Sequence, residues 1–269
     1  MADVTLSAEE NGDGPPIVLL HGLTATRRYV VMGSRMLERS GHRVISYDAR
    51  GHGSSTAAGS PGAYRYEHLG ADLEAVLDSL GIARAVLAGA SMGAHTALGL
   101  ALLRPERVSA LALITPSFDP LEPRTPEAFA RWDALARGLR EGGVEGFVRA
   151  YDLDEVPEAW RETVGRVIRQ RLSAHEHPDA VADALEVVPR SRPFTDMSEL
   201  VGIGVPTTVV ASRDEADPGH PLQVGERYAR AIPDARLVVE DAGPPVRSPI
   251  AWQGGQLSKV LAELVARSN

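Results

Sequence analysis

Short runs of apolar residues recur along the chain and predict strands that are buried on both faces of a sheet. These runs occupy residues 17–20, 44–47, 86–89, 108–114, 205–211 and 235–240. Segments with apolar residues at helical spacing lie between or after them. They occupy residues 29–39, 67–80, 92–103, 221–232 and 250–266. Strands that alternate with helices in this way predict an α/β fold, with a parallel sheet and helices on both faces.

Two segments depart from this alternation. Residues 3–14 alternate weakly and end in Asn11-Gly12-Asp13-Gly14, which predicts an N-terminal hairpin. Residues 118–204 contain helical patterns and no convincing strand. Since connections in α/β proteins usually take only a few residues, a stretch of this length must fold on itself. We therefore expect a core domain from residues 1–117 and 205–269, with a helical cap from residues 118–204.

The sequence Gly89-Ala90-Ser91-Met92-Gly93 lies where an apolar strand pattern ends and a helical pattern begins. It has the form G-x-S-x-G, in which a serine occupies a sharp turn between a strand and a helix. A Cβ atom two residues to either side would crowd such a turn, so glycine is expected at both places. The free N–H groups at the start of the helix would stabilise negative charge beside Ser91.

Composition argues against some classes of binding partner and excludes some kinds of catalytic chemistry. The formal net charge is −8 and the isoelectric point is near 5.5, which argues against nucleic acid or an anionic membrane as the main partner. The absence of cysteine excludes disulfides and thiolate catalysis. The first residues do not resemble a secretory signal, and the most apolar stretch is interrupted by polar residues. We expect a cytoplasmic protein that acts on a small molecule without a cofactor; the sequence predicts no oligomeric state.

Three motifs in this order resemble the α/β-hydrolase superfamily over nearly the whole chain. They are His21-Gly22 after one strand, Asp48-x-Arg50-Gly51-His52-Gly53-x-Ser55 after the next, and the Gly89–Gly93 turn. The resemblance implies a mostly parallel sheet of eight strands, with a helical cap inserted after the sixth. It also implies that Ser91 is the nucleophile, and that the backbone N–H groups of Leu23 and Met92 form an oxyanion hole.

The resemblance places the catalytic acid after the strand at 205–211. A carboxylate four residues before a proline is frequent there in the superfamily. Both Asp214, before Pro218, and Asp217, before Pro221, meet this spacing. We favour Asp214 because it lies closer to the end of the strand, and Asp217 is the alternative.

The resemblance fails at the catalytic base. The superfamily carries a histidine on the loop after the last strand, which corresponds here to residues 241–248. No histidine occurs after His220 in this sequence. An unassisted serine hydroxyl is a poor nucleophile at neutral pH, so another group is needed for the usual mechanism.

Other histidines are candidates for the base. His220 precedes the helix that follows the acidic loop, and His95 lies one helical turn beyond Ser91. His175 and His177, in the expected cap, are further candidates. Although His175 and His177 have the spacing of a metal-binding pair, no further ligands lie at a suitable spacing, so no metal is expected.

Three functions remain open. The first is hydrolysis of a small ester or lactone at Ser91, which the intact turn and the acidic loop favour. The second is lyase, isomerase or cyclase chemistry in which the same site polarises a carbonyl without acylation of Ser91. The third is a catalytically silent module that binds a ligand, which the absent histidine favours.

Overall fold

A computed structural model describes residues 4–122, 124–215, 217–243 and 247–268. The first half alternates strands and helices. It contains β1 (Ala8–Asn11), β2 (Pro16–Leu20), α1 (Met36–Arg39), β3 (Arg43–Tyr47), α2 (Tyr66–Ser79), β4 (Ala85–Ala90), α3 (Met92–Leu103) and β5 (Val108–Ile114). The second half begins with α4 (Pro126–Ala150), α5 (Glu158–Leu172) and α6 (Pro178–Val187). It continues with β6 (Thr207–Val210), α7 (Leu222–Ala231), β7 (Arg236–Val238) and α8 (Gly254–Ser268).

The described strands form one sheet of seven strands in the order β1-β3-β2-β4-β5-β6-β7. All neighbours are parallel except β1, which runs antiparallel to β3. The α/β fold and the mostly parallel sheet are therefore confirmed. The expected eighth strand is not among the described residues, and the helical insertion follows the fifth strand of this sheet.

Helices cover both faces of the sheet, as predicted. On one face, α2, α3 and α7 contribute side chains such as Leu73, Leu98 and Tyr228 to a buried cluster. On the other face, α1 and α8 contribute side chains such as Leu37 and Leu261. The amphipathic spacing of the other helices identifies their buried stripes, whereas α3 packs against the central strands β2, β4 and β5 and is buried on nearly all sides.

Two of the local predictions are wrong. Residues 3–14 do not form a hairpin, because β1 pairs with β3 rather than with the next strand, β2. Asn11–Gly14 is therefore a connection that carries the chain from one side of β3 to the other. Residues 29–39 do not form one helix either, since a 3₁₀ turn at Arg27–Tyr29 and the four-residue α1 are separated by irregular backbone.

Residues 118–204 form what we call the helical insertion, which contains α4, α5, α6 and 3₁₀ turns but no strand among its described residues. The first helix of the insertion, α4, is interrupted at Gly143, where φ is +57°. Side chains including Leu139, Phe147, Leu172 and Leu185 form a small buried cluster within the insertion. Leu23, from the core, packs against this cluster.

No helix in the described ranges combines the length and the apolar character needed to cross a membrane.

Candidate active site

The turn at Ser91 has the strained geometry that the G-x-S-x-G pattern predicts. Ser91 has φ of +49° and ψ of −111°, a combination that non-glycine residues rarely adopt. A Cβ atom at Gly89 would lie 2.1 Å from the Gly93 carbonyl oxygen, and one at Gly93 would lie 2.3 Å from the Leu20 carbonyl oxygen. Both glycines are thus required by close backbone contacts, and the turn holds the half-buried Ser91 at the carboxyl end of β4.

A histidine and a carboxylate lie beside the Ser91 hydroxyl. His220 Nε2 is 3.1 Å from Ser91 Oγ, and His220 Nδ1 is 3.0 Å from both carboxylate oxygens of Asp217. If Nδ1 carries the proton and donates it to Asp217, the lone pair of Nε2 faces the serine hydroxyl. These three side chains have the connectivity of a nucleophile, a general base and an orienting acid.

Asp217 also determines the electrostatics of His220. Burial alone would lower the pKa of His220, but the charge of Asp217 and its hydrogen bond raise it more, so the pKa lies above its usual 6.5. The positive charge of Arg171 opposes this rise. A histidine in this environment is a stronger base than a free imidazole. The Asp217 carboxylate stabilises the imidazolium that forms when the ring accepts a proton.

The loop after β6 is anchored at its start. The Arg213 N–H donates to Glu240 Oε1 at 2.6 Å, and the Arg213 guanidinium donates from Nε to the Glu240 carbonyl at 3.0 Å. Further along, the Asp217 N–H donates to the Arg213 carbonyl, and the His220 N–H donates to the Asp217 carbonyl, each at 3.1 Å. The second of these bonds closes a tight turn, which brings the side chains of Asp217 and His220 together.

Asp214 lies elsewhere. Its carboxylate accepts a hydrogen bond from the Leu222 N–H at 2.7 Å and is exposed, at the beginning of α7. This is the position of a helix-capping side chain. Our preference for Asp214 as the acid does not agree with this geometry, and the alternative, Asp217, is the carboxylate that contacts a histidine. Both residues have the same spacing to a proline, so spacing could not separate them.

The two backbone N–H groups expected to form an oxyanion hole lie near Ser91. A Cβ atom at Gly22 would be 3.4 Å from Ser91 Cβ, so the loop that contains Leu23 runs directly beside the serine. Among the described residues, the Leu23 N–H donates no backbone hydrogen bond. Met92 is the first residue of α3, where an N–H group has no partner within the helix.

His95 is packed in the core. Its Nε2 accepts hydrogen bonds from the N–H groups of Ser117 and Phe118, both at 3.2 Å, and its Nδ1 donates to Tyr66 Oη at 3.1 Å. Burial, followed by the charges of Arg124 and His220, lowers the pKa of His95 to about 3. Both ring nitrogens are therefore occupied by structural contacts.

The histidines of the helical insertion make no hydrogen bond to Ser91 within the described residues. His175 Nδ1 accepts from the Gly53 N–H at 2.8 Å, and its Nε2 donates to the Thr24 carbonyl at 3.0 Å. His177 precedes the first residue of α6. Over the ranges that the structure describes, no group of three or more potential ligands is placed to hold a metal ion.

The sequence contained one signal for the contact between Asp217 and His220. Asp217 and His220 are three residues apart around a Pro-Gly pair, a spacing that lets the second side chain turn back toward the first. The superfamily places the acid and the base on different loops, so the base is expected within residues 241–248 instead. None of residues 241–248 is a histidine, and residues 244–246 lie outside the described residues.

Comparison with known proteins supports the fold and a hydrolytic activity. The family described as alpha/beta hydrolase fold matches residues 15–246. RutD of Pseudomonas savastanoi pv. phaseolicola, provisionally named as a carbamate hydrolase, is 32% identical over 87% of this chain and 88% of its own. The enol-lactonase of Burkholderia xenovorans superposes with a TM-score of 0.79 at 26% identity, covering 97% of this chain and 96% of the other.

An esterase of Thermogutta terrifontis superposes equally well, with a TM-score of 0.79 at 29% identity over 98% of this chain and 94% of its own. The family match spans most of the chain, and these relatives are named for hydrolytic reactions. The chain therefore belongs to the alpha/beta hydrolase fold family and is a hydrolase.

Proposed function

We propose that this hydrolase cleaves a small carboxylic ester or lactone, with Ser91 as the nucleophile, His220 as the general base and Asp217 as the acid that orients it. The observation that carries this proposal is the 3.1 Å contact between His220 Nε2 and Ser91 Oγ, with Asp217 on the opposite ring nitrogen. A histidine within hydrogen-bond reach of a serine at a strained turn is the arrangement that activates a hydroxyl group.

The first half of the reaction forms an acyl-enzyme. His220 Nε2 accepts the proton of Ser91 Oγ as that oxygen attacks the carbonyl carbon of the substrate, and the carbonyl oxygen becomes an oxyanion. The N–H groups of Leu23 and Met92 stabilise this oxyanion. Collapse of the intermediate breaks the bond to the alcohol oxygen, which takes the proton from His220 and leaves as an alcohol.

The second half releases the acid. His220 accepts a proton from a water molecule, whose oxygen attacks the acyl carbon and forms a second oxyanion in the same place. The bond to Ser91 Oγ then breaks, and Ser91 regains a proton from His220. Asp217 stays ionised throughout and stabilises the charged imidazolium through the hydrogen bond at Nδ1.

The base in this proposal comes from the loop after β6 rather than from the loop after the last strand. Proton transfer requires an imidazole that is held in a fixed orientation with a lone pair at the serine hydroxyl. Any loop that places the ring in this way can supply it. A single anchored turn that carries both Asp217 and His220 meets the requirement. This accounts for the lack of any histidine beyond residue 220.

The substrate class is supported by the names of the relatives. An enol-lactonase and an esterase share the fold at 26% and 29% identity over nearly the whole chain. We propose that residues 118–204 form a cap over the site and that the substrate is a small molecule. Two side chains of this insertion, Arg171 and His175, contact the loop that carries Leu23, which supports the cap assignment.

Hydrolysis in ¹⁸O-labelled water tests the proposal. Wild-type protein and Ser91→Ala are compared on p-nitrophenyl acetate and on a small lactone. We expect one ¹⁸O atom in the acid product, and a loss of at least ~10³-fold in kcat for the variant. Unchanged turnover in Ser91→Ala, or a product without the label, would contradict the proposal and favour chemistry in which Ser91 is not acylated.

A further inference from the structure

The oxyanion loop, which we define as residues Gly22, Leu23 and Thr24, is held at each of its carbonyl groups. The Gly22 carbonyl accepts from His21 Nδ1 at 2.8 Å and from the Ala25 N–H at 3.0 Å. In a trans peptide the C=O and N–H groups point in opposite directions. Fixing the Gly22 carbonyl therefore fixes the direction of the Leu23 N–H, which is the proposed oxyanion donor.

Thr24 has a strained backbone conformation. Its φ is +65°, in the left-handed region that non-glycine residues rarely adopt. Such a conformation persists only where surrounding contacts hold it in place. The contacts that hold Thr24 come from the helical insertion.

Arg171 supplies the first of these contacts. It lies in the last turn of α5, and its Nη2 donates to the Leu23 carbonyl at 2.8 Å and to Thr24 Oγ1 at 2.9 Å. Burial lowers the pKa of Arg171, with the nearby hydroxyls of Tyr151 and Tyr29 and the charge of Asp217 acting in the opposite direction. Among the described residues, both hydrogen bonds of the Arg171 guanidinium go to the oxyanion loop.

His175 supplies the second contact. Its Nδ1 accepts from the Gly53 N–H at 2.8 Å, which requires the ring proton to lie on Nε2. Nε2 then donates to the Thr24 carbonyl at 3.0 Å. His175 therefore joins the helical insertion to two loops of the core, and burial lowers its pKa, so the neutral tautomer that these contacts need is the stable one.

We infer that Arg171 and His175 are positioning residues that hold the oxyanion loop in its strained conformation and thereby aim the Leu23 N–H at the reacting carbonyl oxygen. This inference rests on the proposed function for its catalytic meaning. The contacts link the helical insertion to transition-state stabilisation, because they hold Leu23 and Thr24, the two residues that follow the Gly22 carbonyl in the loop. Neither side chain touches the reacting atoms in this role.

A different role for Arg171 makes a distinct prediction. Its Nε has no hydrogen-bond partner within the described residues, and a buried guanidinium would bind a substrate carboxylate well. In that case the loss of Arg171 would raise KM for an anionic substrate and leave a neutral one unaffected. A positioning role instead lowers kcat for both, because the oxyanion forms from either substrate.

The test compares a neutral and an anionic ester with the same leaving group, p-nitrophenyl acetate and p-nitrophenyl hemisuccinate. The variants are Arg171→Gln, Arg171→Lys and His175→Ala. Arg166→Gln, an exposed position on the same helix, is the matched control. We expect kcat to fall about 10- to 100-fold for both esters in Arg171→Gln and in His175→Ala, with KM within about twofold. Arg171→Lys should recover part of the loss, since one donor can still reach the Leu23 carbonyl.

Amide hydrogen exchange provides a readout that does not depend on turnover. In Arg171→Gln the peptide that contains residues 22–25 should exchange at least about 10-fold faster than in the wild type, whereas Arg166→Gln should leave it unchanged. Unchanged exchange, unchanged kcat for both esters, or an effect confined to KM of the anionic ester would overturn the inference. If Ser91→Ala shows that the proposed function is wrong, the exchange result still decides whether these residues hold the loop.

Discussion

The two histidines at the start of α3 and before α7 have opposite environments, although both were candidates for the base. His95 is buried, its Nε2 accepts two backbone hydrogen bonds, and its pKa is lowered to about 3. His220 has a side chain that is 29% exposed, contacts Asp217, and has a raised pKa. Closeness to Ser91 in sequence favours His95, but only the ring with a carboxylate partner and a free lone pair can act as a base.

The difference shows what a histidine needs, beyond proximity, to serve as the proposed base. Burial without a carboxylate keeps an imidazole neutral and turns it into a structural acceptor, as at His95. A carboxylate on one nitrogen raises the basicity of the other, as at His220.

The largest effect is expected on removal of the proposed base. His220→Ala should lower kcat at least ~10³-fold on a p-nitrophenyl ester, because Ser91 loses its proton acceptor while the proposed oxyanion donors remain. His95→Leu should leave kcat within a few-fold among the folded molecules. Comparable losses of kcat in both variants, measured at a temperature where both are folded, would contradict the different roles of His220 and His95.

The next effect concerns the orienting acid. Asp217→Asn should lower kcat by about 10²- to 10⁴-fold, because the amide no longer favours the tautomer with its lone pair at Ser91. Asp214→Asn is the matched control, and we expect it to change kcat by no more than about twofold, since asparagine also caps a helix well. Our sequence-based preference for Asp214 would be restored if the two variants exchanged these results.

The pH dependence of kcat/KM gives a related prediction. Only neutral His220 can accept the serine proton, so activity should rise with pH through the raised pKa of His220, above 6.5. Asp217→Asn removes the charge that raises this pKa, so the acid limb should move to lower pH. A limb that stays in place in Asp217→Asn would show that another group controls it.

His95→Leu should affect stability instead. The Ser117 and Phe118 N–H groups lose their acceptor in a buried place, which costs about 1–3 kcal/mol for each group. We expect the free energy of unfolding, measured with urea, to fall by about 2–4 kcal/mol. A loss below about 0.5 kcal/mol would mean that the ring is not a structural acceptor.

A smaller decrease in the free energy of unfolding, per pH unit, is expected as the pH is lowered. His21, His52 and His175 lie close together, with ring centroids 5.2 and 5.5 Å apart in successive pairs, and burial lowers the pKa of each ring. The unfolded chain binds protons at these histidines below pH 6.5, whereas the native protein binds them only at lower pH, about 3 for His21. Their contribution to stability is therefore present above pH 6.5 and is lost as the pH falls toward 3.

His52→Gln tests this acid dependence. Each such histidine contributes up to about 1.4 kcal/mol per pH unit between the two pKa values. The free energy of unfolding of the variant should therefore fall less steeply between pH 6 and pH 4, by about that amount per unit. Identical slopes in variant and wild type would show that His52 is protonated in the native protein.

The sequence predicted those parts of the molecule that depend on local pattern. The buried strands, α3 and the strained turn follow from apolar runs and from two glycines whose positions leave no space for a side chain. The hairpin at residues 3–14 failed because strand pairing depends on where β3 lies in the sheet, and no local pattern encodes that.

The proposed acid and base were harder to predict for a different reason. Asp214 and Asp217 have equivalent spacing to a proline, and the decision between them depends on the path of a turn. The Arg213–Glu240 contacts fix that path from a distant loop. The spacing of Asp217 and His220 is a usable signal, but only once acid and base are allowed to share one loop.

The reaction of Ser91 with a fluorophosphonate probe, followed by intact mass, tests the central claim most directly. The probe reports on the nucleophilicity of Ser91 and does not require the natural substrate. We predict stoichiometric labelling of the wild type, labelling at least ~10³-fold slower in His220→Ala, and a rate in Asp214→Asn within about twofold of the wild type. Equal labelling rates in wild type and His220→Ala would contradict the assignment of His220 as the base.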